Sequence, residues 1–545
     1  MRRIHLKKVG CILPVLALLL ALPGCNGGAP MGTGEAGQTE SESGSEVQSQ
    51  SENQTQTEAE TQTEAETQTE TETQPAPVLQ TYSGDEAIVY EAEEGNLLGS
   101  TSVKRDGDIG YVEGFAKEED GLELTIHIEE TGFYDLNFIS RSVDGGYKEN
   151  YVAVDDERVG TAKVEGKDYT DSLISRVYLE AGDHTVKIST FWGWIRVDSL
   201  KVEPSDELDP GRFDIEPVLV NPNATENARR LMTYLCDIYG TDILSGQYCD
   251  TGMYGIENTT IWETTDGRYP AILGLDMTNY TPVSAAHGAE GHSTEYAQEY
   301  WEQGGIVTFC WHWTTPDKYT TGNWYSTFYK DHTNIDLAKI MNGQDQEGYD
   351  LLVADIDAIA EQLLILQEAD VPVLWRPLHE ASGGWFWWGN AGADAYKQLY
   401  LLMYDRLVNH HGLNNLIWVW NGQDKEWYPG DEYVDIIGED IYPGEHVYTP
   451  QTSKYLDVME YTDAKKMIIL SENGCLFDPD LAIRDGSMWG SFCTWGGEFV
   501  IENTQPHILS EQYTEEDMLK KVYEHEHVIT RDELPDLKSY PLAGE

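Results

Sequence analysis

Positive charge is scarce in this chain: 35 lysines and arginines stand against 96 aspartates and glutamates, for a formal net charge of -61. Nucleic acids and anionic membrane surfaces are met by basic patches, so both are excluded as electrostatic partners. A neutral polymer is not repelled by such a charge. Cysteine is also sparse, seven in 545 residues without the paired spacing of zinc ligands, so neither a disulfide framework nor a zinc site is expected. There is no phosphate-binding loop and no dinucleotide fingerprint, and His379-Glu380-Ala381-Ser382-Gly383 lacks the second histidine of a zinc-protease helix. His525-Glu526-His527 reads as a solvated helix end, because three neighbouring residues cannot close a coordination sphere. No cofactor for catalysis is expected.

A long apolar run, from about Val9 to Leu22, follows Arg2, Arg3, Lys7 and Lys8 and ends in Leu22-Pro23-Gly24-Cys25. It reads as an export signal, too short to remain as a spanning helix. The closing tetrapeptide resembles the bacterial lipobox. That resemblance implies a signal over residues 1–24, lipidation of Cys25, and anchoring at the bacterial cell surface. Residues 25–84 repeat Thr, Glu, Gln and Ser in blocks such as Thr57-Glu58-Ala59-Glu60-Thr61-Gln62. With so little apolar surface to bury, they predict a disordered, self-repelling spacer. Five cysteines stand beyond it: Cys236, Cys249, Cys310, Cys475 and Cys493. Cys236 and Cys249 are left either as a pair formed after export or as buried thiols.

Between Ile88 and Val202 short alternating runs recur between Gly and Asp turns, which predicts a β-sandwich over residues 85–204. The opening Tyr90-Glu91-Ala92-Glu93 and the closing Trp194 to Val202 resemble the jelly-roll carbohydrate-binding modules of families 35 and 6. The resemblance implies a structural calcium on Glu91, Glu93 and Asp198; clustered carboxylates suit that ion. Trp192 and Trp194 lie two apart, the same side of a strand, and are either an exposed pair for stacking on sugar or core residues. Asp, Glu and Pro between Pro204 and Pro217 mark a linker over residues 205–220.

From Asn221 apolar runs alternate with helical stretches, the clearest of them Asp350–Glu368 and Ala393–Asn409. Strands are predicted at Ile243–Gln247, Ala271–Met277, Gly305–Trp313, Val371–Leu378, Asn415–Asn421, Val434–Ile441, Lys466–Glu472 and Ser491–Trp495. The fold class is therefore α/β, a (β/α)8 TIM barrel over residues 221–545 behind a small all-β jelly-roll sandwich. All but two of the sixteen tryptophans lie between Trp262 and Trp495, several at predicted strand ends.

Two of these runs end in glutamate, at His379-Glu380 and at Ser471-Glu472-Asn473-Gly474. Barrel enzymes hold catalytic groups at the C-terminal ends of their strands, and a pair of carboxylates suits cleavage of a sugar bond. Trp375-Arg376-Pro377-Leu378-His379-Glu380, then Gly383-Gly384-Trp385-Phe386-Trp387-Trp388-Gly389, and the second glutamate motif resemble glycoside hydrolase family 26. Most characterised members of that family are endo-acting β-1,4-mannanases. The resemblance implies Glu380 as acid/base on the fourth strand and Glu472 as nucleophile on the seventh, about 5 to 5.5 Å apart as double displacement with retention requires. It also implies that Tyr442 hydrogen-bonds the nucleophile, that His379 and His312 bind sugar, and that Trp385 forms a sugar platform. Trp495 closes the opposite wall, and Trp387 and Trp388 are packing residues.

Arg376, on the same side of its strand as Leu378 and Glu380, either adds positive charge at the site or pairs with a core acid. Asp440 either binds a sugar hydroxyl or orients Arg376. The expected partners are β-mannan and manno-oligosaccharides, with the membrane met through the lipid anchor, no nucleic acid, and a monomeric chain. The motifs leave the C2 configuration of the sugar open, so β-1,3-xylan and mixed-linkage β-glucan are same-fold alternatives. A non-catalytic surface glycan-binding lipoprotein is the alternative from another class, and two unneutralised carboxylates at the cleft argue against it.

Overall fold

The computed structural model describes residues 87–107 and 109–544, so the signal, Cys25 and the spacer lie outside the described residues. From Ile88 to Pro204 the chain forms two packed antiparallel sheets, of six and five strands. In the strand Gly132–Ser142 every second side chain is buried along most of its length. That period of two lets one face of each sheet close on the other. Ile126, Leu136, Phe138, Val152, Ile188 and Val197 fill the space between. Trp192 and Trp194 are exposed, at 47% and 56%, which discards the core reading. They do not lie in a strand, however. Both sit in the turn between Gly182–Thr190 and Ile195–Pro204, with Trp194 at φ 58°, so strand alternation does not put them on one face.

Eight parallel strands then close into a barrel. In chain order they are β1 (Gly246–Tyr248), β2 (Ile272–Asp276), β3 (Ile306–Cys310), β4 (Val373–Arg376), β5 (Leu416–Trp420), β6 (Ile436–Ile441), β7 (Met467–Asn473) and β8 (Phe492–Thr494). Every residue of β2, β3 and β5 is buried, as it must be when the barrel interior lies on one face and helices cover the other. The helix Gln346–Glu368 starts where the Asp345 side chain accepts from Gly348 N, and it buries Leu352, Ile356, Ile359, Leu363 and Leu366 at helical spacing. The first predicted strand serves two ladders. Ile243–Leu244 pairs with Val528–Ile529 outside the barrel, and only Gly246–Tyr248 enters it.

Residues 205–220 are fastened to the barrel: Lys465 Nζ donates to Gly211 O at 2.5 Å and Arg212 Nη2 to Gly486 O at 3.1 Å. Cys236, Cys249, Cys310, Cys475 and Cys493 are all free thiols.

Candidate active site

The acid/base candidate is placed by backbone strain rather than by strand alternation. β4 ends at Arg376, and Leu378 and Glu380 take φ values of 54° and 52°, a left-handed conformation costing about 1 to 3 kcal/mol each outside glycine. Alternation therefore does not run from Arg376 through Leu378 to Glu380, which corrects the sequence expectation. Hydrogen bonds hold the turn: Glu380 N donates to Asn421 O at 2.7 Å and to Asn421 Oδ1 at 2.9 Å, and Trp388 Nε1 to His379 O at 2.8 Å. The Glu380 side chain comes out half-buried at the top of the barrel, where Trp385 Nε1 donates to its Oε2 at 2.9 Å.

Glu472 stands across the barrel mouth near the end of β7 and is 4% exposed. Its Oε1 accepts from Arg376 Nη2 and its Oε2 from the Tyr442 hydroxyl at 2.8 Å. Arg376 also donates to Asp440 Oδ2 at 2.8 Å and to the Tyr248 hydroxyl at 3.0 Å. Asp440 in turn accepts on Oδ1 from Asn421 Nδ2 at 2.9 Å and Ser471 Oγ at 2.7 Å. Oxygens of Glu380, Asp440 and Glu472 all lie within 4.8 Å of one another. Three carboxylates this close would suit a cation, and the Arg376 guanidinium fills that role.

The side chains of Arg376 and Asp440 have no accessible surface, so they support the cleft from beneath, and neither is placed to bind substrate directly. For Asp440 the reading as the residue that orients Arg376 is the one observed; Arg376 meets both of its readings, pairing with Asp440 and bringing its charge to Glu472. Asn421, Ser471 and Tyr248 belong to the same network and went unread in the sequence. Only Asn421, a polar residue directly after the apolar run of β5, carried a signal of the kind that marked Glu380.

His312 and His379 form a pair, Nε2 to Nε2 at 3.3 Å. His312 Nδ1 lies 2.6 Å from Asp276 Oδ2, and although burial works against its cationic form, the Asp276 charge and hydrogen bond outweigh it and raise its pKa. His379, 1% exposed, is kept neutral: burial, Arg376 and His312 all lower its pKa. His312 is flanked in the chain by Trp311 and Trp313, which stack on each other at 4.1 Å in the core. Trp495 packs beside it at 5.6 Å, and Trp385, 36% exposed, lies on the Glu380 side. Trp387 and Trp388 are buried, as packing residues should be.

The sequence pattern of glycosyl hydrolase family 26 matches residues 220–533, which is the barrel. The chain belongs to glycosyl hydrolase family 26. The pattern of carbohydrate binding module family 35 matches residues 88–205, the sandwich. A mannan endo-1,4-beta-mannosidase of Thermothelomyces thermophilus is 39% identical over 454 residues, spanning 82% of this chain and 90% of that protein. Mannan endo-1,4-beta-mannosidase B of a Piromyces species is 35% identical over 460 residues, spanning 82% and 77%. Among solved structures, the Podospora anserina GH26-CBM35 beta-(1,4)-mannanase superposes with a TM-score of 0.59 at 35% identity, covering 84% of this chain and all of that one.

A family 26 site needs its two acids in different protonation states. Burial, then the charges of Asp440 and Glu472, push the Glu380 carboxyl well above the usual range, with the Trp385 hydrogen bond and Arg376 opposing. Glu472 faces two donors. Its partner Glu380 is thus suited to be the acid, with its proton on Oε1, because Oε2 accepts from Trp385. The basic limb of the kcat/KM profile reports loss of that proton, so activity falls as pH rises through it. Trp385→Phe removes a donor that favours the ionised form, and the basic limb should move to higher pH. An unmoved or lowered limb in that profile contradicts the assignment.

Proposed function

We propose that the chain is an endo-acting, retaining β-1,4-mannanase whose barrel cleaves mannan, galactomannan or glucomannan by double displacement. The observation that carries the mechanism is the approach of Glu380 and Glu472 oxygens to within 4.8 Å. That spacing suits direct attack by one carboxylate and falls short of the roughly 6.5 to 9.5 Å that an inverting enzyme needs for an interposed water.

Glu472 attacks the anomeric carbon while Glu380 passes its proton to the departing oxygen. Glu380, now a carboxylate, takes a proton from the water that releases the sugar from Glu472. Tyr442 and Arg376 hold the two oxygens of the nucleophile in place, and Trp385 and Trp495 offer ring faces to the pyranose C–H groups. The mannan substrate is supported by the relatives' activities together with the family 26 motifs; nothing observed favours xylan, mixed-linkage glucan or binding without turnover.

Glu472→Ala should lower turnover on the order of 10⁴-fold or more while binding persists. Glu380→Ala should slow mannan hydrolysis by about 10² to 10⁴-fold but spare aryl glycosides with good leaving groups, which need little acid assistance. Normal hydrolysis of mannan by both variants contradicts the assignment.

The sandwich would hold one calcium on Glu91, Glu93 and Asp198, where the ion supplies structural cross-linking and no chemistry. Two observations support it, although the three carboxylates do not converge to within 4.8 Å of one another and Glu93 Oε1 is paired with Arg105: Glu93 Oε2 is buried without a hydrogen-bond partner, and burial together with the charges of Asp198, Glu93 and Glu94 raises the Glu91 pKa. Calcium should raise the melting temperature of the full chain, and Glu93→Gln should abolish the rise; equal shifts in both proteins refute the site. Export and anchoring through Cys25 rest on the leader sequence alone. Radiolabelled palmitate should enter the protein in bacterial cells and fail to enter Cys25→Ala, and label in both would overturn the anchor.

A further inference from the structure

The sandwich reaches the barrel beside the nucleophile. In the strand Glu157–Val164, the Arg158 guanidinium lies over the Tyr151 ring, 3.6 Å from its centroid, and Nη1 donates to the carbonyl of Pro443. Pro443 directly follows Tyr442, whose hydroxyl binds Glu472. The Arg158 carbonyl meanwhile accepts from Thr449 Oγ1 at 2.6 Å. One sandwich residue thus grips both ends of the 443–449 loop. Its middle is held by the barrel side, His446 N donating to Tyr513 O at 2.9 Å.

The loop is shaped for this grip. Pro443 restricts Tyr442 to an extended backbone. Gly444 sits at φ 109°, a conformation that calls for glycine, and a Cβ there would lie 2.9 Å from Arg158 Nη1 and displace the guanidinium. The Tyr442 ring is fixed from its other side by Phe499, at 5.3 Å between ring centres, and by Gly474, where an added Cβ would lie 2.7 Å from it. The sandwich also binds the helix after this loop: Ser175 N donates to Ser453 Oγ at 3.0 Å. The connection from β6 to β7 is therefore braced by the other domain at Pro443, Thr449 and Ser453.

We propose that Arg158 of the sandwich is a positioning residue for hydrolysis, acting through the Pro443 carbonyl to hold Tyr442 on Glu472. The sandwich then has two roles, since the aligned Tyr442 hydroxyl is needed at every turnover regardless of whether the sandwich binds polymer. This inference rests on the retaining mechanism assigned above.

The test is steady-state kinetics of the full chain on mannohexaose, a soluble substrate for which capture of polymer plays no part. Arg158→Ala should lower kcat about 10-fold, as for a catalytic group displaced by a fraction of an ångström, with KM within about twofold. Arg158→Lys, which can still donate to Pro443 O, should recover part of the loss. The double variant Arg158→Ala/Tyr442→Phe should be no slower than Tyr442→Phe alone, because both changes remove one interaction. Arg158→Met keeps an unbranched apolar side chain beside Tyr151 while removing the guanidinium that donates to Pro443 O, so it carries the test should Arg158→Ala unfold. An unchanged kcat in Arg158→Met, or a loss that adds in full to that of Tyr442→Phe, overturns the proposal. Wild-type turnover of mannohexaose separately tests the mannanase reading; without it, the same ratios are measured on the xylan- or glucan-derived oligosaccharide that the wild type cleaves.

Discussion

A buried guanidinium holds this active site together. Arg376 has no exposed surface and spends its fork on Asp440, Glu472 and Tyr248. Breaking such a pair by removing one partner typically costs about 3 to 5 kcal/mol, since the charges left behind stay out of water. The flat, rigid fork matters here as much as the charge, because its Nη1 and Nη2 meet Asp440 on β6 and Glu472 on β7 in fixed directions. One cation facing two acids leaves a net negative charge beneath the cleft. A further full charge on Glu380, within 4.8 Å, would be repelled by roughly 3 kcal/mol at an effective dielectric of about 20. The same arrangement that fastens the nucleophile therefore keeps the proton on its partner.

The remaining parts of the site serve this asymmetry. Asn421 ties the two halves together, binding the Glu380 backbone on one side and Asp440 on the other. Left-handed turns at Leu378 and Glu380 aim the acid into the cleft, and they persist because Asn421 and Trp388 secure the backbone around them. In the Asp276–His312–His379 row, Asp276 holds His312 and His312 meets the neutral His379, so this wall is braced without a charge on His379 next to Arg376.

Much of this was legible in the chain. Parallel barrel strands are buried on both faces, so they appear as continuous apolar runs, and all eight could be located from Ile243 to Trp495. Glu380 and Glu472 stood out because a carboxylate closing such a run has no structural reason to be there. Strand ends were less legible. The run at Ile243 mixes residues from two ladders, and the strand at Val373 stops at Arg376 because its continuation turns left-handed, which no side-chain period reveals. Arg376 and Asp440 looked like cleft residues since one strand position separates lining from core. Asn421, Ser471 and Tyr248 were invisible as a group because hydrogen bonds between distant strands leave no local pattern. The grip of Arg158 on the barrel is hidden for the same reason, 285 residues separating it from Pro443.

The central claim is that Glu472, fastened by Arg376 and Tyr442, makes the covalent bond to sugar while Glu380 manages the proton. Trapping the glycosyl-enzyme with a 2-deoxy-2-fluoro-mannosyl fluoride and sequencing the labelled peptide by mass spectrometry tests it most directly. The label should sit on Glu472, in the peptide containing Met467–Asn473. A label on Glu380, or none from an enzyme that remains active on mannan, would contradict the account.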